Sequence, residues 1–338
     1  MQVRTISRGK VDVTVVGYGG APIGNIFRPI PAVDAQTQIE AAWAAGVRAF
    51  DTAPMYGHGL SEHRLGHALL EYDRENYVLS TKVGRTLVPA PRGTFDTGVW
   101  VDVPPLRAEF DYSYDAVLRQ VDDSLQRMCQ DRFDILFVHD IDGYTHGDAQ
   151  PRRFEEALAG AFPALLRLRD EGVVRAIGVG VNEAEVCRAV VERVDVDCLL
   201  LAGRYTLLEQ EPARTLFPLC LDRDISVLLG GVFNSGILAT GPVPSAKFNY
   251  APAPPAVVDR TRRLAEVCAA HDVPLPAAAI AFGLAHPAVK QVVLGARTVE
   301  QQARNLAWLH TAIPAALWSD CREAGLVDDG APTPSDGA

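Results

Sequence analysis

The sequence predicts an α/β chain folded as a single (β/α)8 (TIM) barrel with an N-terminal β-hairpin. Three observations carry this expectation. Eight short runs are apolar throughout, amphipathic stretches of helical period separate most of them, and ionisable residues close three successive runs. Strands that are apolar along their whole length, and not at alternate positions, have both faces covered, as parallel sheets do. Eight such units exceed what an open doubly wound sheet usually holds and match a closed barrel.

In order, VRTI and VDVT flank SRGK and read as a hairpin capping the barrel floor. The barrel strands follow as VVGYG (15–19), VRAFD (47–51), YVLSTK (77–82), DILFVH (134–139), VRAIGVG (174–180), DCLLLA (197–202), ISVLLG (225–230) and QVVLG (291–295). Between them, apolar residues recur every three to four positions in segments such as AQTQIEAAWAAG (35–46), YDAVLRQVDDSLQRM (114–128) and TVEQQARNLAWL (298–309), which marks helices. Gly46 and Gly172 stand just past helical turns, where a left-handed cap is wanted. Two connections, 84–113 and 231–257, are too long for plain turns and rich in Pro and Gly, a pattern of functional loops. The barrel domain is expected over 1–321. The tail 322–338 (REAGLVDDGAPTPSDGA) has the composition of a disordered end.

Composition narrows the function classes. The 338 residues are 48% hydrophobic and 22% charged, ordinary for a globular core. A net charge of −10 argues against a nucleic-acid or anionic-membrane partner. No apolar run reaches the ~18 residues of a membrane span, and the N-terminus lacks a signal-peptide core. The six cysteines form no C-x-x-C pair and sit in apolar settings, so a reducing, cytoplasmic location is expected. The chain is expected to be a monomer or small homo-oligomer with a small-molecule substrate.

In a barrel of this kind the active site lies at the C-terminal ends of the strands. Strand two ends in Asp51, strand three in Lys82 and strand four in His139, and the turn after Asp51 carries Tyr56 and His58. Lys82 is one of four lysines against 28 arginines, which hints that a compact ammonium is wanted there. A tyrosine pKa near ~10 is too high for proton transfer at neutral pH. A nearby ammonium favours the phenolate, and a carboxylate keeps that ammonium charged. The group therefore reads as a proton relay, with Tyr56 transferring the proton, Lys82 paired with Asp51, and His139 hydrogen-bonding the reacting oxygen.

The stretch FDTAPMYGHGLSEHRLG (50–66), with STK (80–82) and FVHD (137–140), resembles the aldo-keto reductase superfamily, and the similarity runs from about residue 4 to 310. That family has a (β/α)8 fold, a nicotinamide cofactor bound in extended form, and an Asp/Tyr/Lys/His tetrad that matches Asp51, Tyr56, Lys82 and His139. Within it, GGVFNSGIL (230–238) and LLLAGRYTLLEQ (199–210) resemble the aldose 1-dehydrogenases of the L-fucose and D-threo-aldose type and the related pyridoxal 4-dehydrogenases. The resemblance implies oxidation of a hemiacetal carbon to a lactone, with Tyr56 as acid/base. It implies cofactor contacts from Asn182, Leu229, Gly230, Gly231, Gly295, Arg297, Gln301 and Asn305. Asn182 stands in for a Ser-Asn pair, Leu229 is aligned with a nicotinamide-stacking tyrosine, and Ala202 replaces a glutamine. Basic residues typical of NADP preference are missing at Gly295 and Gln301, which favours NAD. Arg297 keeps NADP open. Trp100, His58, Phe233 and Asn234 are the substrate-wall candidates, and Asp140 and Asp142 are either sugar ligands or solvated loop acids.

Competing readings are an NADPH-dependent aldehyde or ketone reductase, a non-catalytic cofactor-binding regulator, and a metal-dependent hydrolase using Asp51, His58 and His139. His63 and His67 on GLSEHRLGHALLE lack an H-E-x-x-H arrangement, so no metal is expected. GYGGAPIGN (17–25) lacks G-x-G-x-x-G spacing and reads as a rim loop.

Overall fold

The computed structural model describes residues 1–334. Eight parallel strands close into a barrel in sequence order: β1 (Val16–Gly19), β2 (Ala49–Asp51), β3 (Val78–Val83), β4 (Ile135–His139), β5 (Ala176–Val181), β6 (Cys198–Ala202), β7 (Ser226–Gly230) and β8 (Val289–Leu294). All eight predicted runs lie on these strands, displaced by a residue or two at their ends. β8 pairs with β1 through Val292 and Val16, which closes the ring.

The period of two along each strand separates two cores. One set of side chains faces the helices and forms the larger core, with Leu136, Val179, Leu199 and Leu229 among them. The alternate set fills the barrel interior, with Ala49, Val78, Ile135, Phe137, Cys198, Leu200, Leu228 and Val293. Phe137 is accommodated because its neighbour on β5 is glycine. A Cβ on Gly178 would lie 1.9 Å from the Cys198 carbonyl oxygen and 3.1 Å from the Phe137 ring. Full burial of one such ring is worth roughly 1.5–3 kcal/mol.

The predicted hairpin, Val3–Ile6 with Val11–Thr14, plugs the floor. Ile6, Val11 and Val13 are fully buried and join the barrel-interior core. Helices surround the barrel, most with one apolar stripe, while Leu275–Ala285 is apolar on every side and buried. Tyr114–Met128 buries Val117, Val121, Ser124 and Met128 at helical spacing. No single helix among the described residues is long and apolar enough to cross a membrane.

Both long connections contain structure of their own. Residues 84–113 hold an antiparallel ribbon, Arg85–Pro89 with Leu106–Phe110, whose outer loop bridges Trp100 to Ile26. Residues 231–257 hold a short helix, Ile237–Thr240, and a small hairpin, Lys247–Phe248 with Ala251–Pro252. The tail departs from expectation. The last helix runs Ala315–Glu323, and Leu326, Val327 and Ala331 beyond it are buried. Gln210 accepts from Asp328 N at 2.8 Å and donates to Leu326 O at 2.9 Å, so the backbone there is satisfied. Composition averaged over 322–338 hides this Leu-Val pair, which fills a gap in the core. Residues 335–338 lie outside the described residues.

Candidate active site

Three strand ends and one turn build the site. Asp51 pairs in register with Ser80 across β2 and β3, and Lys82 with Phe137 across β3 and β4. Ser80 and Lys82, two apart, both face Asp51, whereas Thr81 between them points outward to Glu62. Lys82 is 1% exposed and donates to Asp51 Oδ2 at 2.8 Å and to Thr52 O at 2.7 Å. Ser80 Oγ donates to Asp51 Oδ1 at 2.7 Å. Tyr56 lies above this pair, with Lys82 Nζ 4.6 Å from its ring centroid and the His139 ring edge-on at 5.9 Å. The structure therefore brings together Asp51, Tyr56, Lys82 and His139.

The electrostatics differ from the sequence expectation for Tyr56. Burial pushes its phenol well above the ordinary value, and the Asp51 and Asp140 carboxylates add to the rise. Lys82 does not offset this, because its ammonium is held by Asp51 and Thr52 and faces the flat of the ring. The phenol is thus a proton donor in the resting protein. Burial, with Arg85 and Lys82 nearby, holds His139 well below the usual histidine range, so its ring is neutral.

Over these residues opens a cavity of about 280 Å³, walled by Met55, Trp100, Asp140, Asn182 and Tyr250. Trp100 lines this cavity with its ring 5.6 Å from that of Tyr56. A second groove of about 350 Å³ runs from Tyr56 between the ends of β7, β8 and β1. Gly230, Gly231, Phe233, Asn234, Gly295 and Arg297 line it. The two spaces share Ala21, Ile26, Tyr56, Leu200, Ala202 and Tyr250.

Several expected contacts fall elsewhere. Leu229 faces the helices, packing near Gly283, because Leu228 and Gly230 take the interior side of β7. It cannot stack on a ring in the groove, and Gly230 occupies the position that faces it. His58 is buried beneath the 85–110 ribbon, with Nδ1 2.8 Å from Leu106 O, and does not line the cavity. The left-handed turn through Gly57, His58 and Gly59 rotates it away. Phe233 and Asn234 wall the groove and not the substrate cavity. Gln301 accepts from Arg297 N at 2.9 Å and Asn305 donates to Gly295 O at 3.2 Å, so both brace the 295–297 turn from behind. Asn182 does line the cavity, and its N–H is held by Asp142 at 2.7 Å. His58, His63 and His67 do not form a metal cluster among the described residues.

Sequence reasoning missed Arg85, Tyr250 and Lys247. Arg85 lines the cavity, and Lys247 lines the groove with its ammonium 4.4 Å from the Phe27 ring. Each sits in a long connection whose folding onto the rim has no local sequence signal.

The groove suits an extended dinucleotide. Glycines at 230, 231, 236 and 295 leave backbone approachable, Lys247 and Arg297 supply positive charge, and Asn234 Oδ1 is buried without a partner. The helix Val299–Leu309 starts beside it, capped by Thr298, with its free N–H groups at that end.

The profile described as Aldo/keto reductase family matches residues 15–325. A pyridoxal 4-dehydrogenase of Microbacterium luteolum is 42% identical, over 96% of this chain and 97% of its own. A D-threo-aldose 1-dehydrogenase of a Pseudomonas species is 40% identical, over 95% and 96%. Among solved structures, an aldo-keto reductase from Bacillus halodurans in its holo form superposes with a TM-score of 0.76 at 23% identity, covering 99% of both chains. One from Klebsiella pneumoniae in complex with NADP and acetate gives 0.66 at 18% identity, covering 97% of both.

Proposed function

Because the chain belongs to the aldo/keto reductase family, we propose that it is an aldose 1-dehydrogenase that oxidises a hemiacetal carbon to a lactone. The observation that carries this is the meeting of Tyr56, Lys82, Asp51 and His139 under a cavity whose polar wall holds Asp140, Arg85, Thr145 and Asn182. Those side chains offer both donors and acceptors on one wall, which suits the hydroxyls of a sugar ring. The relative named for D-threo-aldose supports the same substrate class.

Chemically, the anomeric hydroxyl sits against Tyr56, which in its phenolate form takes the hydroxyl proton as hydride leaves C1 for the coenzyme and the C1=O bond forms. His139 donates to the same oxygen and holds it in place. Lys82, fixed by Asp51 and Thr52, forms the floor beneath the Tyr56 ring, and the Arg85 guanidinium is the cation that favours negative charge on the phenol oxygen. A nicotinamide coenzyme, held by Asn182, Gly230, Gly231, Gly295 and Arg297, supplies the hydride acceptor when bound. NAD is the proposed coenzyme, since Gln301 is spent on bracing the backbone and no cation stands at Gly295. Arg297 and Lys247 are the groups that NADP would use.

A second reading, pyridoxal oxidation at its hemiacetal carbon, rests on the aromatic wall of Trp100, Tyr144 and Tyr250 and on the relative of that name. Initial rates with NAD+ or NADP+ and a panel of L-fucose, D-arabinose, L-galactose and pyridoxal, with product analysis for lactone, test both. No turnover across that panel, together with brisk NADPH-dependent aldehyde reduction, rejects the dehydrogenase reading.

A further inference from the structure

A second ion pair, largely buried, flanks His139. Arg85 opens the strand Arg85–Pro89 and is 6% exposed. One guanidinium nitrogen donates to Asp140 Oδ2 at 2.7 Å, and the other donates to His139 Nδ1 at 3.3 Å. Its planar group lies over the Phe110 ring at 4.3 Å, which fixes the orientation of both donors. Asp140 is itself immobilised. Its backbone is left-handed at φ 52°, and Tyr112 Oη bonds to the carbonyls of both His139 and Asp140, at 2.9 and 2.8 Å.

A guanidinium has donors only and does not lose its proton. A nitrogen facing it must therefore offer a lone pair. If His139 carried its proton on Nδ1, two N–H groups would point at each other inside a dry pocket. A neutral His139 that satisfies Arg85 has its proton on Nε2.

We propose that Arg85 is a positioning residue that fixes His139 as the Nε2–H tautomer and so makes it a hydrogen-bond donor toward the substrate cavity. This rests on the proposed role of His139 at the reacting oxygen. Asp140 Oδ1 lies 3.4 Å from Nε2, longer than a strong hydrogen bond, because the other carboxylate oxygen is held by Arg85. The Nε2–H therefore has a loose resting partner that a substrate oxygen displaces. The charged and titratable groups facing the ring are Arg85, Lys82, Asp140 and Tyr56, and burial, aided by the two cations, keeps imidazolium from forming. Sequence alone links none of this, since Arg85 and His139 are separated by 54 positions.

The test reads the tautomer directly. Nitrogen-15 labelled protein gives ring correlations for each histidine, and His139→Gln assigns the signal. The wild type shows a neutral Nε2–H pattern at His139. Arg85→Met gives a mixed or Nδ1–H pattern, and kcat falls about 10- to 100-fold, the worth of one charge-assisted hydrogen bond, with coenzyme affinity unchanged. Arg85→Gln keeps a polar end but stops short of both guanidinium donors, and it gives the same readout should the Met variant fail to fold. A pure Nε2–H pattern in the folded Arg85 variant overturns the proposal, whatever happens to activity. Full turnover by His139→Gln has a different meaning. It removes His139 from the reacting oxygen and leaves the tautomer result standing.

Discussion

Replacing Asp51 by Asn removes the charge that balances a lysine with almost no contact with water. At an effective dielectric of about 20, unit charges 2.8 Å apart attract by about 6 kcal/mol, and the loss of hydration on burying each ion offsets much of this. The intact pair therefore adds little net stability, whereas breaking it strands the ammonium. Lys82 keeps the Thr52 carbonyl and can still donate to the new amide oxygen, so the cost falls at the low end of the usual range of about 3–5 kcal/mol for an orphaned buried charge. Urea unfolding followed by tryptophan fluorescence measures it. The double variant Asp51→Asn with Lys82→Met removes both charges and recovers about 2 kcal/mol or more relative to the sum of the single changes. If Asp51→Asn costs less than about 1 kcal/mol, the pair behaves as an exposed one and the reasoning from burial fails.

Tyr56→Phe is expected to lower turnover by about 10²–10⁴-fold with little change in coenzyme affinity, as loss of a general acid/base does, and near-full activity would remove Tyr56 from that role. Because burial and two carboxylates raise the Tyr56 phenol, an ultraviolet difference titration of wild type against Tyr56→Phe shows no extra phenolate up to the ordinary value near ~10. Oxidation, which needs the deprotonated form, then speeds up as pH rises, while carbonyl reduction, which needs the phenol, does not; a phenolate titrating below the ordinary value contradicts the geometry. Leu326→Ala is expected to cost about 2–5 kcal/mol, measured as a shift in the unfolding midpoint, since its side chain is fully buried in a segment whose composition reads as disordered. A loss below about 0.5 kcal/mol would return that segment to the surface.

The residues legible in the sequence are those whose role depends on local pattern. Asp51, Lys82 and His139 each close an apolar run, so strand periodicity alone places them on one rim. Leu229 shows the limit of the same logic. One step of register turns a side chain from the groove to the helices, and an alignment at the end of β7 does not fix which of Leu229 and Gly230 faces in. His58 looked like part of the rim because it neighbours Tyr56, but a left-handed turn buried it. Arg85 could not be found from pattern, since its partners lie 54 and 55 positions away and meet it only when the 85–110 ribbon folds over the mouth.

The hairpin under the barrel has a practical corollary. Its first strand starts at Val3, and the Met1 side chain lies beside Gly46, at the end of the molecule where the strands begin. Anchoring the chain to a solid support through its N-terminus therefore leaves the opposite mouth facing the solution. An immobilised preparation made this way should admit small molecules as freely as the dissolved protein, with no spacer needed to lift the entrance clear of the surface.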